Sequence, residues 1–212
     1  MKIKHFLFIL LLITCGLPSR ALQAQTVIDN TTVTTNEIYY VGTNTAVNSL
    51  VITNNGQLFV MGAPSIIGNT VASSDNTALV TGSGSLWTNQ GDLFVGFGGA
   101  ANTLTISNGA SVLNNNGSIG NEASSSNNVV LVTGAGSLWT NRSNLFVGNN
   151  GAGNALTISN GARVFNVIGR IGDSSSNNVV TVTGAGSLWT NLGDLFVGNF
   201  GEGNALTISN GA

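Results

Sequence analysis

The sequence predicts an all-β protein whose chain winds into a parallel β-helix, a solenoid of about 25 residues per coil. The first observation is a repeated phrase, Val-Thr-Gly-Ser/Ala-Gly-Ser-Leu-Trp, which ends at Trp87, Trp139 and Trp189 and therefore recurs after 52 and then 50 residues. The second is composition, since 29 of the 212 residues are glycine, a residue that tight corners favour. The third is that no stretch of the repeat region has a helical period.

The long repeat divides into two similar halves. Residues 178–198 and 154–172 share one pattern: an apolar-Thr-apolar run, a Gly turn, an apolar pair, a second turn and an apolar-Gly ending. About seven such coils would cover residues 30–212. We therefore expect a first degraded coil or cap over 25–48 and β-helix repeats over 49–212, with the last copy stopping in mid-unit and a longer reading frame beyond it.

Each coil is predicted to hold three short strands, which in the last full copy cover residues 179–183, 187–191 and 194–197. These segments are rich in β-branched and aromatic residues and are bounded by Gly, Asn, Asp or Ser. Side chains alternate between the two faces of a strand, so one parity must fill the tube.

Alternation assigns the aliphatic residues of the first strand to the interior and its threonines to the outside. The predicted inward residues are Leu156, Ile158, Val180, Val182, Leu206 and Ile208, and the predicted outward residues are Thr157, Thr181 and Thr207. A second inward column is predicted at Leu86, Val112, Leu138, Val164 and Leu188.

That second column leaves an aromatic-rich column facing outward. Its members are Trp87, Leu113, Trp139, Phe165 and Trp189. Two interpretations are open: a structural aromatic ladder near a corner, or an exposed stripe in which Trp87, Trp139, Phe165 and Trp189 contact a partner protein or glycan.

The N-terminus has the three regions of a secretory signal peptide over residues 1–24. A charged start precedes an apolar run over 6–13 that is too short to span a bilayer, and a small residue, Ala24, ends the segment. We expect cleavage after Ala24, with Gln25 at the mature N-terminus. An alternative is that residues 12–15 act as a lipoprotein signal and that Cys15 is lipidated.

Removal of residues 1–24 excludes several classes of function. The remaining chain has no Lys, His or Cys, and its cations are Arg142, Arg163 and Arg170 against eight carboxylates, a net charge of −5. So few cations exclude the basic surface that nucleic-acid binding needs. Triads with His or Cys, His- or Cys-based zinc sites and Walker loops are excluded by residue type.

Carboxylate chemistry remains, and its pattern favours structure over catalysis. Asp92 and Asp194 recur at one position of the repeat with Asn144 between them, as turn residues do. The calcium-binding pattern Gly-Gly-x-Gly-x-Asp does not occur. We therefore expect no catalytic residue, metal ligand or cofactor. The alternative is a secreted polysaccharide lyase or glycosidase that uses a non-repeating acid such as Asp173.

The three repeated phrases together resemble a known repeat. The tryptophan phrase, Leu-Phe-Val-Gly (93–96, 145–148, 195–198) and Leu-Thr-Ile-Ser-Asn-Gly-Ala (104–110, 156–162, 206–212) are similar to the repeat of type V secretion (autotransporter) passengers and PEP-CTERM-associated proteins. The resemblance implies an exported β-helical passenger, displayed at the cell surface or released, with a structural or adhesive role. It also implies an outer-membrane translocator barrel downstream of residue 212 and a host or matrix glycan or protein as the contact partner.

Overall fold

The computed structural model describes residues 24–212, and within that range the chain forms an all-β solenoid with no helix. All of the predicted signal peptide except Ala24, including Cys15, lies outside the described residues. The 22 strands form three parallel sheets, and each full coil contributes one strand to each sheet. The predicted fold class, a parallel β-helix, is therefore confirmed.

The strands of each sheet follow one another in chain order. The first sheet contains β1 (Gln25–Asp29), β4 (Ser49–Thr53), β7 (Thr77–Thr81), β10 (Thr103–Ser107), β13 (Val129–Thr133), β16 (Ala155–Ser159), β19 (Val179–Thr183) and β22 (Ala205–Ser209). The second sheet contains β2 (Thr32–Thr35), β5 (Gln57–Val60), β8 (Leu86–Asn89), β11 (Ser111–Asn114), β14 (Leu138–Asn141), β17 (Arg163–Asn166) and β20 (Leu188–Asn191). The third sheet contains β3 (Tyr39–Val41), β6 (Ser65–Ile67), β9 (Leu93–Val95), β12 (Gly117–Ile119), β15 (Leu145–Val147), β18 (Gly169–Ile171) and β21 (Leu195–Val197).

The period of the coils agrees with the sequence. Successive strands of the first sheet begin 24 to 28 residues apart, or about 26 on average. Residues 25–48 form a first coil whose strands β1, β2 and β3 pair in parallel with β4, β5 and β6. The three strands predicted for the last full copy are present, although the second and third each begin one residue later than expected.

The interior of the first sheet is as predicted. Val180, Val182, Leu156 and Ile158 are buried, whereas Thr157 and Thr181 lie on the outer face. Leu206 is half-buried, and Ile208 is 62% exposed because β22 has a neighbour on one side only. Burial of each full aliphatic side chain contributes about 1.5–3 kcal/mol, so a column of them stabilises the stacking of coils.

The predicted inward column of the second sheet is wrong for its leucines. Leu86 pairs with Ser111, not with Val112, and the leucines at 86, 138 and 188 lie on the outer face. The inward column instead consists of Trp87, Val112, Trp139, Val164 and Trp189. Val112 and Val164 were therefore assigned to the correct face.

The length of one turn explains the error. The tryptophan coil has four residues (82–85) between its first two strands, whereas the next coil has three (108–110). This extra residue shifts the pairing by one, and a shift of one residue exchanges the two faces of a strand. The second strand then directs Trp87 and Asn89 into the tube, and the turn residue Ser85 before it is buried as well, so polar residues also lie in the interior.

Two serine substitutions test this register. We expect Val112→Ser to lower the free energy of unfolding by about 2 kcal/mol, because it removes buried apolar area and buries a hydroxyl group. Leu86→Ser, at a neighbouring outward position, should change it by less than about 1 kcal/mol. Urea unfolding followed by circular dichroism measures both, and a larger cost for Leu86→Ser would contradict the register.

Candidate functional site

The tryptophans fill the tube and cannot form the contact stripe considered from the sequence. Trp87 and Trp139 are 0% exposed, and Trp189 is half-buried in the last complete coil. Phe165 does lie on the outer face, where it pairs with Thr140 and is half-buried. The four proposed stripe residues therefore do not share one face.

Large and small inward residues alternate from coil to coil. In the third sheet the inward column reads Leu93, Gly117, Leu145, Gly169, Leu195. A Cβ atom on Gly117 would lie 2.8 Å from Cζ2 of Trp139 and 3.0 Å from Cδ1 of Leu145. The indole ring thus occupies space that glycine leaves free in the preceding coil. From Trp87 onward, tryptophan–leucine coils alternate with valine–glycine coils, which matches the sequence repeat of two coils.

Asparagine side chains satisfy the buried indole N–H groups. Trp139 Nε1 donates to Asn114 Oδ1 at 2.7 Å, and Trp189 Nε1 donates to Asn166 Oδ1 at 2.6 Å. Asn114 Nδ2 donates in turn to Asn141 Oδ1 at 2.7 Å. Trp87 Nε1 has no partner, because in the coil that precedes Trp87 the position equivalent to Asn114 is occupied by Val60.

A second asparagine ladder runs along the corner before the first sheet. Its members are Asn48, Asn76, Asn102, Asn128, Asn154, Asn178 and Asn204. From Asn76 onward, each side chain accepts a hydrogen bond from the backbone N–H of the previous member; the bond from Asn102 N–H to Asn128 Oδ1 is 2.8 Å long. The five central members are 0% exposed. This ladder holds the corner of each coil in register with the next.

The recurring acids Asp92 and Asp194 lie in the turns that precede strands of the third sheet. Asp92 Oδ1 accepts hydrogen bonds from the backbone N–H of Asn116 at 2.9 Å and from the side chain of Asn115 at 3.0 Å. Asp194 is exposed, and its backbone carbonyl accepts the N–H of Gly169 at 3.0 Å. Among residues 24–212 there is no group of three or more His, Cys, Asp or Glu side chains that could hold a metal ion.

A cleft of about 370 Å³ lies beside the first coil and offers little chemistry. Its lining consists of uncharged residues only: Ala24, Thr26, residues 39–45 and residues 48–50. Burial raises the pKa of the Tyr39 phenol above its ordinary value, and a hydrogen bond with Thr26 partly offsets this. The phenol is therefore protonated at neutral pH. Within the described range there is also no helix of the length and hydropathy needed to cross a bilayer.

The outer face of the third sheet carries the candidate contact surface. We name it the third-sheet stripe, and its residues are Tyr40, Ile66, Phe94, Ser118, Phe146, Arg170 and Phe196, which are aligned from coil to coil. Tyr40 is 38% and Phe196 is 36% exposed, whereas Phe94 and Phe146 are half-buried.

Aromatic and charged contacts fix the stripe. The Phe97 ring packs edge-on against Phe94 with centroids 5.1 Å apart. The Arg170 guanidinium lies 5.8 Å from the Phe146 ring and 5.1 Å from the Phe196 ring, distances typical of cation–π contacts. Arg170 also forms a 2.6 Å ion pair with Asp173. The charge and the rings are thus held in place by their neighbours.

Sequence reasoning missed this stripe although a pattern for it was present. The recurring Leu-Phe-Val segment predicts a strand and marks the repeat. Its alternation places Leu93 and Val95 inside and Phe94 outside, as their burial now shows. The residue between the two aliphatic residues, Phe94 and its equivalents, is therefore a repeated aromatic residue on the outer face.

Comparison of the chain with protein-family models, with curated protein sequences and with solved structures finds no match.

The indole hydrogen bond can be tested with Asn114→Val, which gives Trp139 the environment that Val60 gives Trp87. We expect a loss of about 1–3 kcal/mol in the free energy of unfolding, the usual cost of a buried polar group left unpaired. In a Trp139→Phe background, which lacks the donor, the same change should cost less by about 1 kcal/mol. Strictly additive effects in urea unfolding of the four variants would contradict a direct bond.

The corner ladder can be tested with two glycines that have similar backbone angles. Gly120 and Gly109 have φ values of 74° and 82°, so alanine is strained at both. A Cβ on Gly120 would lie 2.6 Å from Cγ of Asn154, whereas a Cβ on Gly109 would meet nothing closer than 3.6 Å. Gly109→Ala should cost about 1 kcal/mol, and Gly120→Ala should cost clearly more. Equal losses in melting temperature would argue against a tightly packed ladder.

Proposed function

We propose that the chain is an exported, cell-surface β-helical passenger segment with a structural or adhesive role. The observation that carries the proposal is the regularity of the solenoid. Every full coil repeats the same three strands, the polar groups of the interior are largely used in ladders, and the variable chemistry lies on repeated outer faces. A surface of equivalent, repeated positions suits many weak contacts that act together.

The resemblance of the repeated phrases to those of autotransporter passengers and PEP-CTERM-associated proteins supports export. On this proposal residues 1–24 direct secretion, the repeats are displayed at the outer membrane or released, and a translocator barrel downstream is the assembly partner. A host or matrix glycan or protein is the contact partner.

A polysaccharide lyase or glycosidase has less support than an adhesive role. Glycoside hydrolysis ordinarily needs two carboxyl groups that flank the scissile bond. Asp92 is engaged by two asparagines, and Asp173 is ion-paired with Arg170 and accepts a 3.1 Å hydrogen bond from Asn199. These contacts are typical of acidic residues that stabilise turns, and they support a structural role for Asp92 and Asp173.

Export is tested by expressing the full reading frame in a Gram-negative host. We expect protease added to intact cells to cleave the repeats, and N-terminal sequencing of the exported product to begin at Gln25. The matched control is Leu10→Arg, which places a charge in the apolar run of the signal peptide and should block export.

Three outcomes would count against the proposal. A chain that stays inside the cell with Met1 intact would contradict export. A diacylglycerol group on Cys15 would favour the lipoprotein alternative. Turnover of a polysaccharide by the purified chain that is lost in Asp173→Asn would favour the enzyme.

A further inference from the structure

The turns that follow β10 and β16 each carry an Asn–Gly pair, a dipeptide that reacts with itself in water. The segment Ile-Ser-Asn-Gly-Ala occupies 106–110 and 158–162. In such a pair the backbone nitrogen of the glycine can attack Cγ of the asparagine, because glycine has no side chain to obstruct the approach. Asn108 and Asn160 are exposed to solvent. Burial therefore does not protect these pairs, and their reactivity depends on the geometry of the turn.

The two reacting groups of the first pair are hydrogen-bonded to different coils. Asn108 Nδ2 donates to Thr81 Oγ1 of the preceding coil at 3.0 Å. The backbone N–H of Gly109 donates to Ser137 Oγ of the following coil at 3.0 Å. The carboxamide and the attacking nitrogen are therefore held towards opposite ends of the solenoid. Ring closure needs the two groups to turn towards each other, and both hydrogen bonds oppose that rotation.

The second pair, Asn160 and Gly161, is held in the same way. Asn160 Nδ2 donates to Thr133 Oγ1 at 3.1 Å, and the Gly161 N–H donates to Ser187 Oγ at 3.0 Å. The backbones of the two turns also agree, since the asparagine φ values are 54° and 55° and the glycine φ values are 82° and 80°. Equal sequence, backbone and contacts two coils apart indicate that the repeat itself builds this arrangement.

The two serines are fixed as acceptors of the glycine N–H. Ser137 and Ser187 are 1% and 2% exposed. Their hydroxyl groups donate to the carbonyl oxygens of Thr133 at 2.7 Å and Thr183 at 2.8 Å. Each hydroxyl proton is thus already used, and the lone pairs of Oγ remain for the glycine N–H. A hydroxyl group is also too weak a base to remove that proton, so the contact does not promote the attack.

We propose that the pairs at 108–109 and 160–161 are latent sites of intramolecular succinimide formation, held in an unreactive geometry by the buried serine of the following coil. When that coil separates, the glycine nitrogen loses its proton and bonds to Cγ of the asparagine. The Cγ–Nδ2 bond breaks, and ammonia leaves with a proton. Water then opens the five-membered ring at one of its two carbonyl carbons, which gives aspartate or isoaspartate.

The products mark a turn that has opened. Each event replaces the Nδ2 donor by a carboxylate, so the hydrogen bond that Nδ2 donated to Thr81 or Thr133 is lost. It also adds a negative charge, and isoaspartate lengthens the backbone of the turn by one methylene group. The reaction consumes only water, so it is independent of the exported, adhesive role proposed above.

The test is incubation of the purified chain at mildly alkaline pH, with the aspartate and isoaspartate at each turn measured by peptide mapping. In the folded chain both asparagines should react slowly, whereas in urea both should react as fast as an unstructured peptide of the same sequence. Ser187→Ala should raise the rate at Asn160 about three- to tenfold, the factor expected when one hydrogen bond no longer opposes opening. The rate at Asn108 in the same molecules is the internal reference and should not change.

Three further variants separate the serine contact from general stability. Ser137→Ala should reverse the preference and favour reaction at Asn108. Thr81→Val keeps the shape of the side chain but removes the acceptor of Asn108 Nδ2, so it should also raise the rate at Asn108 alone. Leu188→Ala is the matched control for Ser187→Ala, because it truncates the next residue, which is 43% exposed, and should leave both rates unchanged.

Three results would overturn the proposal. Equal rates in the folded chain and in urea would mean that the turns are not held in an unreactive geometry. A Ser187→Ala variant in which Asn160 reacts no faster, or in which both asparagines accelerate equally, would refute the role of the serine. Absence of aspartate and isoaspartate at both positions after incubation in urea would refute the sites themselves.

Discussion

Each coil of this solenoid must fit the coil that precedes it, and the rest of the structure depends on that fit. Parallel pairing brings equivalent positions into register, so two identical large side chains would compete for the same space. The chain avoids this by placing Trp139 and Leu145 over Val112 and Gly117. The interior is therefore packed in pairs of coils, and the sequence repeats with the same period.

Hydrogen-bond ladders hold successive coils in register at the corners, where buried backbone groups need polar partners. The corner before the first sheet must turn the chain sharply, and buried backbone groups there need partners. Asn102 and its equivalents provide them, each accepting from the backbone of the preceding member. The tryptophans and most of these asparagines lie in the interior. The third-sheet stripe lies on an outer face, where aromatic and charged side chains contact one another.

Much of the fold follows from the sequence, because period and alternation are directly visible in it. The three strands per coil and the inward aliphatics of the first sheet, such as Val180, needed no further information. The second sheet could not be assigned in the same way, because one additional turn residue before Leu86 changes which side chain faces inward. Buried polar residues such as Asn114 were also missed, since their burial depends on the indole groups of the next coil.

The candidate site was predictable only in part. The sequence left open whether the aromatic column of the second sheet is a structural ladder or an exposed stripe. Its tryptophans prove to be interior, whereas Phe165 lies on the outer face. The unpaired hydroxyl of Ser118 is a property of three-dimensional neighbours, and no spacing in the sequence reveals it. Repeated surface aromatic residues lie directly next to the inward aliphatic residues of a strand. The turn lengths of successive coils must be compared first, because they decide which residues face inward.

Burial of the tryptophans between coils is tested most directly by the fluorescence of Trp139 alone, measured in a Trp87→Phe, Trp189→Phe variant. Trp139 is 0% exposed and its indole N–H is bonded to Asn114. We expect blue-shifted emission that iodide scarcely quenches, and a red shift with efficient quenching after unfolding in urea. Red-shifted, readily quenched emission from the folded protein would contradict the central claim that successive coils are fitted together around buried tryptophans.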